Sequence, residues 1–93
     1  MTKEELITLA PYAFCTHTWA CYEGTAFALQ FSSMWEVWEN NTNDRWARFI
    51  INKLGDSEQI ATIFEGWINS RDERAYIDYI KANYPNPFPK PQS

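Results

Sequence analysis

Cysteine and histidine, the residue types that most often carry chemistry in a small protein, cluster in one short segment. Cys15, His17 and Cys21 lie close together, and Glu23 follows directly behind them. A protein metal site needs about four ligands that converge on one ion. On a helix Cys15 points away from His17 and Cys21, and on a strand the three share a face but lie too far apart. We therefore predict no metal site and no cofactor.

The same segment is a poor candidate for catalysis or for a disulfide. A cysteine nucleophile needs a histidine base and a third group to orient it, and only one histidine, His17, is present. Six residues of helix separate the Cα atoms of Cys15 and Cys21 by roughly 9 Å, beyond the about 7 Å that a disulfide allows. We expect free thiols. The three glycines form no phosphate-binding loop, so the sequence predicts no catalytic residues and no enzyme.

Aromatic side chains are the more informative feature of the composition. The 93 residues include five Trp, five Tyr and six Phe, and the formal net charge is −4. Aromatic side chains bury large areas at interfaces at low entropic cost, and a core of this size accommodates few of them. A core that is simply rich in aromatic residues would explain the composition equally well. We expect part of the surplus on the surface, as a contact for a partner or a second copy.

The distribution of charge indicates which partners suit the chain. Residues 1–42 contain five acids and one base, whereas residues 43–93 contain seven of each. Nucleic-acid binding requires Lys and Arg to neutralise phosphates, so we expect a protein partner with a basic surface instead. Polar residues interrupt every apolar run short of the roughly 20 residues of a membrane span, and acids occupy the place of a basic signal region. These patterns predict a cytoplasmic protein.

Hydrophobic periodicity predicts an all-α fold, a compact bundle of about four to five short helices. Thr2 and Glu5 have capping-box spacing and open a helix over about residues 3–10. Apolar spacing favours a second helix over residues 11–22, although the alternation of Cys15, His17, Trp19 and Cys21 suits a strand equally. Gly24 is expected to break the pattern. An aromatic helix then spans about residues 25–40.

The C-terminal half has three better-specified helices and a proline-rich end. Gly55 closes the first of them, and capping boxes that begin at Asp56 and Ser70 open the other two. Pro85 stops the last helix, which predicts a single helical domain over residues 1–84. Residues 85–93 have proline at every second position and form an extended tail, which either lies over the domain with Phe88 as its anchor or is disordered.

The predicted binding surface lies on the aromatic helix over residues 25–40. Its apolar stripe is wider than one core contact requires, so part of the stripe is expected to face outward. Hydrophobic anchors would supply affinity, and an acidic rim would steer a basic partner. The predicted protein-binding residues are Phe31, Met34, Trp35, Glu36, Trp38 and Glu39.

These features are typical of a small acidic protein-binding module. The size and charge resemble those of stoichiometric inhibitors or adaptors, such as phage and mobile-element proteins that act against host nucleic-acid machinery, for example a defence complex. This comparison is an analogy, because no motif supports it. Two alternatives stay open: a structural homo-oligomer, such as a homodimer, that buries the aromatic surface, and a helix-turn-helix-like nucleic-acid binder built from the last three helices.

Overall fold

The computed structural model describes residues 1–92, and throughout that range its regular structure is helical. The all-α prediction is therefore confirmed, with seven helices in the described residues in place of the predicted four to five. None of these helices is long and apolar enough to cross a membrane. The helices are α1 (Lys3–Leu6), α2 (Pro11–Thr18), α3 (Tyr22–Ala28), α4 (Met34–Asn40), α5 (Asp44–Lys53), α6 (Ser57–Ser70) and α7 (Tyr76–Asn83).

The chain forms two compact units. The first unit consists of residues 1–41, with α1 to α4, and of the C-terminal segment from Asn86 onward. The second unit consists of residues 42–85, with α5 to α7. The domain predicted over residues 1–84 thus includes parts of both units.

Local capping explains where the first helices begin and end. Thr2 and Glu5 form the predicted capping box, in which each side chain accepts a hydrogen bond from the backbone of the other residue. α2 ends at Thr18 because Trp19 adopts a left-handed backbone conformation, with φ of 59°. Cys21 then caps α3, since its Sγ accepts a hydrogen bond from the Gly24 N–H at 3.3 Å. Residues 11–18 are therefore helical and not a strand.

The aromatic helix predicted over residues 25–40 is two helices, and Gly24 lies inside the first of them. α3 ends at Ala28, and α4 begins after Ser33, whose Oγ accepts a hydrogen bond from the Glu36 N–H at 3.2 Å. Serine stabilises the start of a helix because its side chain satisfies a backbone donor that the helix leaves unpaired. A new helix start at Ser33 thus divides the predicted stripe.

The C-terminal segment packs on the first unit. Phe88 is buried, and its ring meets that of Phe14 edge to face at a centroid distance of 5.5 Å. Asn86 Nδ2 donates a hydrogen bond to the carbonyl oxygen of Trp35 at 3.1 Å. Phe88 is therefore an anchor, which was one of the two alternatives for this segment.

The second unit is a three-helix arrangement in which α5, α6 and α7 all pack against one another. Asn43 caps α5 through its Oδ1. The capping boxes predicted at Asp56 and Ser70 do not form. Asp56 accepts a hydrogen bond from the Tyr84 hydroxyl at the end of α7, and the Ser70 hydroxyl donates to the carbonyl of Trp67.

Candidate protein-binding surface

The structure does not present the predicted surface on α4 as expected. Met34 and Trp38 lie one helical turn apart on the same face and are buried together with Val37, Trp38 being only 1% exposed. A buried side chain has little surface to offer a partner, so this burial argues against the contact roles predicted for Met34 and Trp38. Phe31 precedes α4 and is half-buried, with its ring edge to face against that of Phe27 at 5.2 Å.

The remaining predicted residues on α4 are accessible in part. Trp35 is half-buried, and the Lys90 ammonium lies 5.3 Å from the centre of its ring, a cation–π arrangement. Glu36 accepts a hydrogen bond from the Ser32 hydroxyl at 2.9 Å, and Glu39 is exposed. This helix therefore contributes charge and one partly covered aromatic ring to the surface.

In the first unit, the most exposed aromatic side chains are three others. Trp19 is 89% exposed, Tyr22 is 87% exposed and Tyr12 is 67% exposed. Trp19 and Tyr22 lie on either side of the connection between α2 and α3, two helices that pack against each other. Tyr12 lies two helical turns before Trp19, about 10 Å along the axis. We refer to Tyr12, Trp19 and Tyr22 as the corner patch.

The backbone holds the Trp19 ring away from the core. The left-handed conformation of Trp19 allows the Ala20 N–H to donate to the carbonyl of Cys15 at 3.0 Å, the pattern that commonly ends a helix with glycine. Left-handed backbone costs about 1–2 kcal/mol in any residue with a Cβ atom. A bulky side chain therefore occupies a position at which glycine would adopt the same backbone conformation at a lower free-energy cost.

The sequence contained a signal that separates the corner patch from the core. Pro11, Phe14, Cys15 and Thr18 are all buried and recur at helical offsets of three and four. Because this stripe defines the inner face of α2, Tyr12 must lie on the outer side. The predicted binding surface instead lay on residues 25–40 and contained none of the three residues of the corner patch.

The cysteine and histidine cluster is not brought together as a site. Cys15 is buried, and this burial raises the pKa of its thiol above the usual value. His17 and Cys21 are exposed, and both cysteines are free thiols. Across residues 1–92, no three Cys, His, Asp or Glu side chains are grouped so that they could hold a metal ion.

The first unit also contains an open groove of about 330 Å³ beside Trp35. Its lining combines backbone and side chains from the α1–α2 connection, the start of α4 and the C-terminal segment, including Ser32, Ser33, Phe88 and Lys90. Among the described residues that line it, the polar side-chain groups are the Trp35 indole N–H, the Lys90 amine and the hydroxyls of Thr8, Ser32 and Ser33.

The first unit is the more acidic of the two. It contains Glu4, Glu5, Glu23, Glu36 and Glu39 against the bases Lys3 and Lys90, whereas the second unit has seven acids and six bases. Hydrogen bonds from the Thr2 backbone and hydroxyl hold the pKa of Glu5 below its usual value. No family model, curated protein or solved structure matches this chain.

Proposed function

We propose that this protein acts without catalysis, by binding another protein through the corner patch, as a stoichiometric inhibitor or adaptor. The observation that supports this most strongly is Trp19, whose ring is almost fully exposed while its backbone adopts a conformation that favours glycine. A residue that gains little from burial and strains the backbone contributes nothing evident to folding. Its ring is suited to insertion into a pocket of a partner.

The exposed area is consistent with the centre of a specific interface. Each aromatic ring offers about 150–250 Å², so the corner patch exposes about 500 Å² at the observed fractions. A standard interface covers about 800 Å² per partner, with a few aromatic residues at its centre and a polar rim. The corner patch could therefore supply most of the apolar part of such an interface.

The charge of the first unit defines the partner. Glu23 is exposed directly beside Tyr22, and the acids of this unit outnumber its bases by five to two. A protein with basic residues around an apolar pocket matches this surface in both chemistry and sign.

Affinity capture with matched variants tests this function. The immobilised protein, the variant Trp19→Ser/Tyr22→Ser and the variant Leu29→Ser are exposed to lysate from the natural source, and retained proteins are quantified by mass spectrometry. Leu29 is an exposed apolar residue of the first unit outside the corner patch and therefore controls for non-specific apolar binding. We expect one protein to be retained by the wild type and by Leu29→Ser and to be lost from the double variant.

Two further measurements make the test specific. The retained protein is purified, and its association rate is measured at low and high salt. A steered encounter slows as salt screens the charges over about 10 Å at 0.1 M, and Glu23→Lys should slow it at low salt. Equal retention by all three proteins would contradict the assignment of binding to the corner patch. An association rate that changes neither with salt nor with Glu23→Lys would contradict the proposed electrostatic steering.

A further inference from the structure

The apolar face of α6 is left open in the second unit. Within this helix, all of whose fourteen residues the structure describes, Ile63 is the one buried side chain. Phe64 is 45% exposed and Ile68 is 54% exposed, while Ile60 and Trp67 are half-buried and Ala61 is exposed. We refer to Ile60, Ala61, Phe64, Trp67 and Ile68 as the α6 stripe.

The α6 stripe is held rigidly by the residues behind it. The Trp67 ring stacks on that of Tyr76 at 4.9 Å, and the Phe64 ring meets the Tyr76 ring edge to face at 5.4 Å. Trp67 Nε1 donates to the carbonyl of Arg74 at 3.0 Å. Because this donor is already satisfied and the rings are fixed, a partner would meet a preformed apolar surface and lose little entropy in ordering it.

The spacing of the α6 stripe is symmetric about Phe64. Ile60 and Ile68 lie four residues before and after it, and Ala61 and Trp67 lie three residues before and after it. An interface with two-fold symmetry pairs residue i with residue j and residue j with residue i. Two antiparallel copies of α6 would therefore place Ile60 against Ile68 of the second copy and the small Ala61 against the large Trp67.

The charges at the two ends of α6 favour the same arrangement. Glu58 lies in the first turn, and Arg71 follows the last residue of the helix. An antiparallel pair places the first turn of one helix beside the end of the other, so Glu58 lies near Arg71 of the second copy. Opposed helix dipoles add to this attraction, whereas a parallel pair would place like charges and like dipole ends together.

From these observations we infer that the α6 stripe is the interface of a homodimer with antiparallel α6 helices. This interface is separate from the corner patch, and neither proposal depends on the other. The stripe exposes about 300 Å² per copy at the observed fractions, below the about 800 Å² of a standard interface. We expect this dimer to be weak and reversible, with a dissociation constant on the order of 10–100 µM.

Sedimentation velocity on the full chain tests the dimer. From about 5 µM to about 1 mM, a range that brackets this affinity, the wild type should shift from monomer to dimer. Phe64→Glu and, as a second variant in case the first folds poorly, Ile68→Glu should raise the dissociation constant at least tenfold, because each places a carboxylate in the apolar contact. Trp19→Ser should dimerise like the wild type, since it alters only the corner patch.

Cross-linking tests the orientation. Ile60→Cys and Ile68→Cys are prepared in a Cys21→Ser background and treated with a short bifunctional maleimide. An equimolar mixture should cross-link more than either variant alone, because antiparallel helices bring residue 60 of one copy to residue 68 of the other. Preferential cross-linking of each variant with itself would indicate parallel helices and overturn the inference.

Three sedimentation results would also overturn the inference: a wild type that stays monomeric at the highest concentration, a dimer that Phe64→Glu and Ile68→Glu leave intact, or a dimer that Trp19→Ser abolishes. If the wild type is monomeric and these α6 variants instead lose a captured protein, the stripe binds a different partner. The proposed function fails separately, through the Trp19→Ser/Tyr22→Ser capture, so the two outcomes are distinguishable.

Discussion

Replacement of Trp19 by glycine should stabilise the protein while it removes the residue that we assign to binding. Trp19 has φ of 59° at the end of α2, and left-handed backbone costs a residue with a Cβ atom about 1–2 kcal/mol. Glycine removes this cost, but it also lowers the free energy of unfolding by about 0.5–1 kcal/mol because the unfolded chain gains conformational freedom. The two ranges together give a net gain of about 0–1.5 kcal/mol, with a central value of about 0.5–1 kcal/mol.

Trp19→Ala is the matched control, because it removes the ring and keeps a Cβ atom in the left-handed region. The ring is almost fully exposed, so Trp19→Ala should change the free energy of unfolding by less than about 0.5 kcal/mol. The comparison of glycine with alanine therefore isolates the backbone. For a domain of this size, the gain corresponds to a midpoint about 2–8 °C higher for glycine.

Urea denaturation and thermal melting, both followed by far-ultraviolet circular dichroism, measure these differences without relying on tryptophan fluorescence. Both variants should lose partner capture equally, because both lack the ring. A glycine variant less stable than the alanine variant would refute the assigned strain. A loss of more than about 2 kcal/mol in Trp19→Ala would show that the ring is packed, as a buried residue is.

Three further results follow from the buried and exposed groups. Trp38→Ala should cost about 3–5 kcal/mol in chemical denaturation, because the side chain is almost fully buried; a cost below about 1 kcal/mol would place Trp38 on the surface. Burial first, and then the carboxylate of Asp56, raise the pKa of the Tyr84 hydroxyl above its usual 10.0. The folded state therefore disfavours the ionised form, so stability is retained below pH 10 and falls as pH rises further. Tyr84→Phe should lose about 0.5–1.5 kcal/mol at neutral pH and show a flatter decline in alkaline denaturant titrations, whereas a wild-type decline no steeper than that of the variant would contradict this. Aromatic disulfide reagents should label Cys21 rapidly and Cys15 slowly, as followed by mass spectrometry, because Cys15 is buried with a raised pKa; equal rates would indicate that Cys15 is accessible.

The helical class was predictable because hydrophobic spacing and side-chain caps both act locally. The Thr2 and Glu5 capping box forms as predicted, and the side chain of Asn43 caps α5. The predicted caps at Asp56 and Ser70 were wrong for a different reason. Asp56 receives the Tyr84 hydroxyl, which lies twenty-eight residues away in sequence, and no local pattern reveals such a competitor.

The binding surface was harder to predict because it depends on where helices break. One helix over residues 25–40 would place Phe27, Phe31 and Trp38 on a single stripe. The new start at Ser33 separates the Phe27 and Phe31 pair from the buried face that carries Met34 and Trp38. The sequence shows that aromatic residues are abundant. Which of their rings face solvent depends on where one helix ends and the next begins, and the Ser33 hydroxyl caps one of these helix starts.

The three left-handed positions of the described chain support the assignment of both surfaces. Gly55 ends α5 with φ of 88° and meets no steric cost, since it has no Cβ atom. Trp19 ends α2 with φ of 59° and Arg71 ends α6 with φ of 55°, and both are bulky residues in a strained region. Trp19 belongs to the corner patch, and Arg71 lies at the charged end of α6. Glycine would adopt the left-handed conformation at lower free-energy cost at both positions. The backbone therefore does not explain why Trp19 and Arg71 have large side chains. The proposed binding would account for them, because both residues are exposed to solvent and could contact a second molecule.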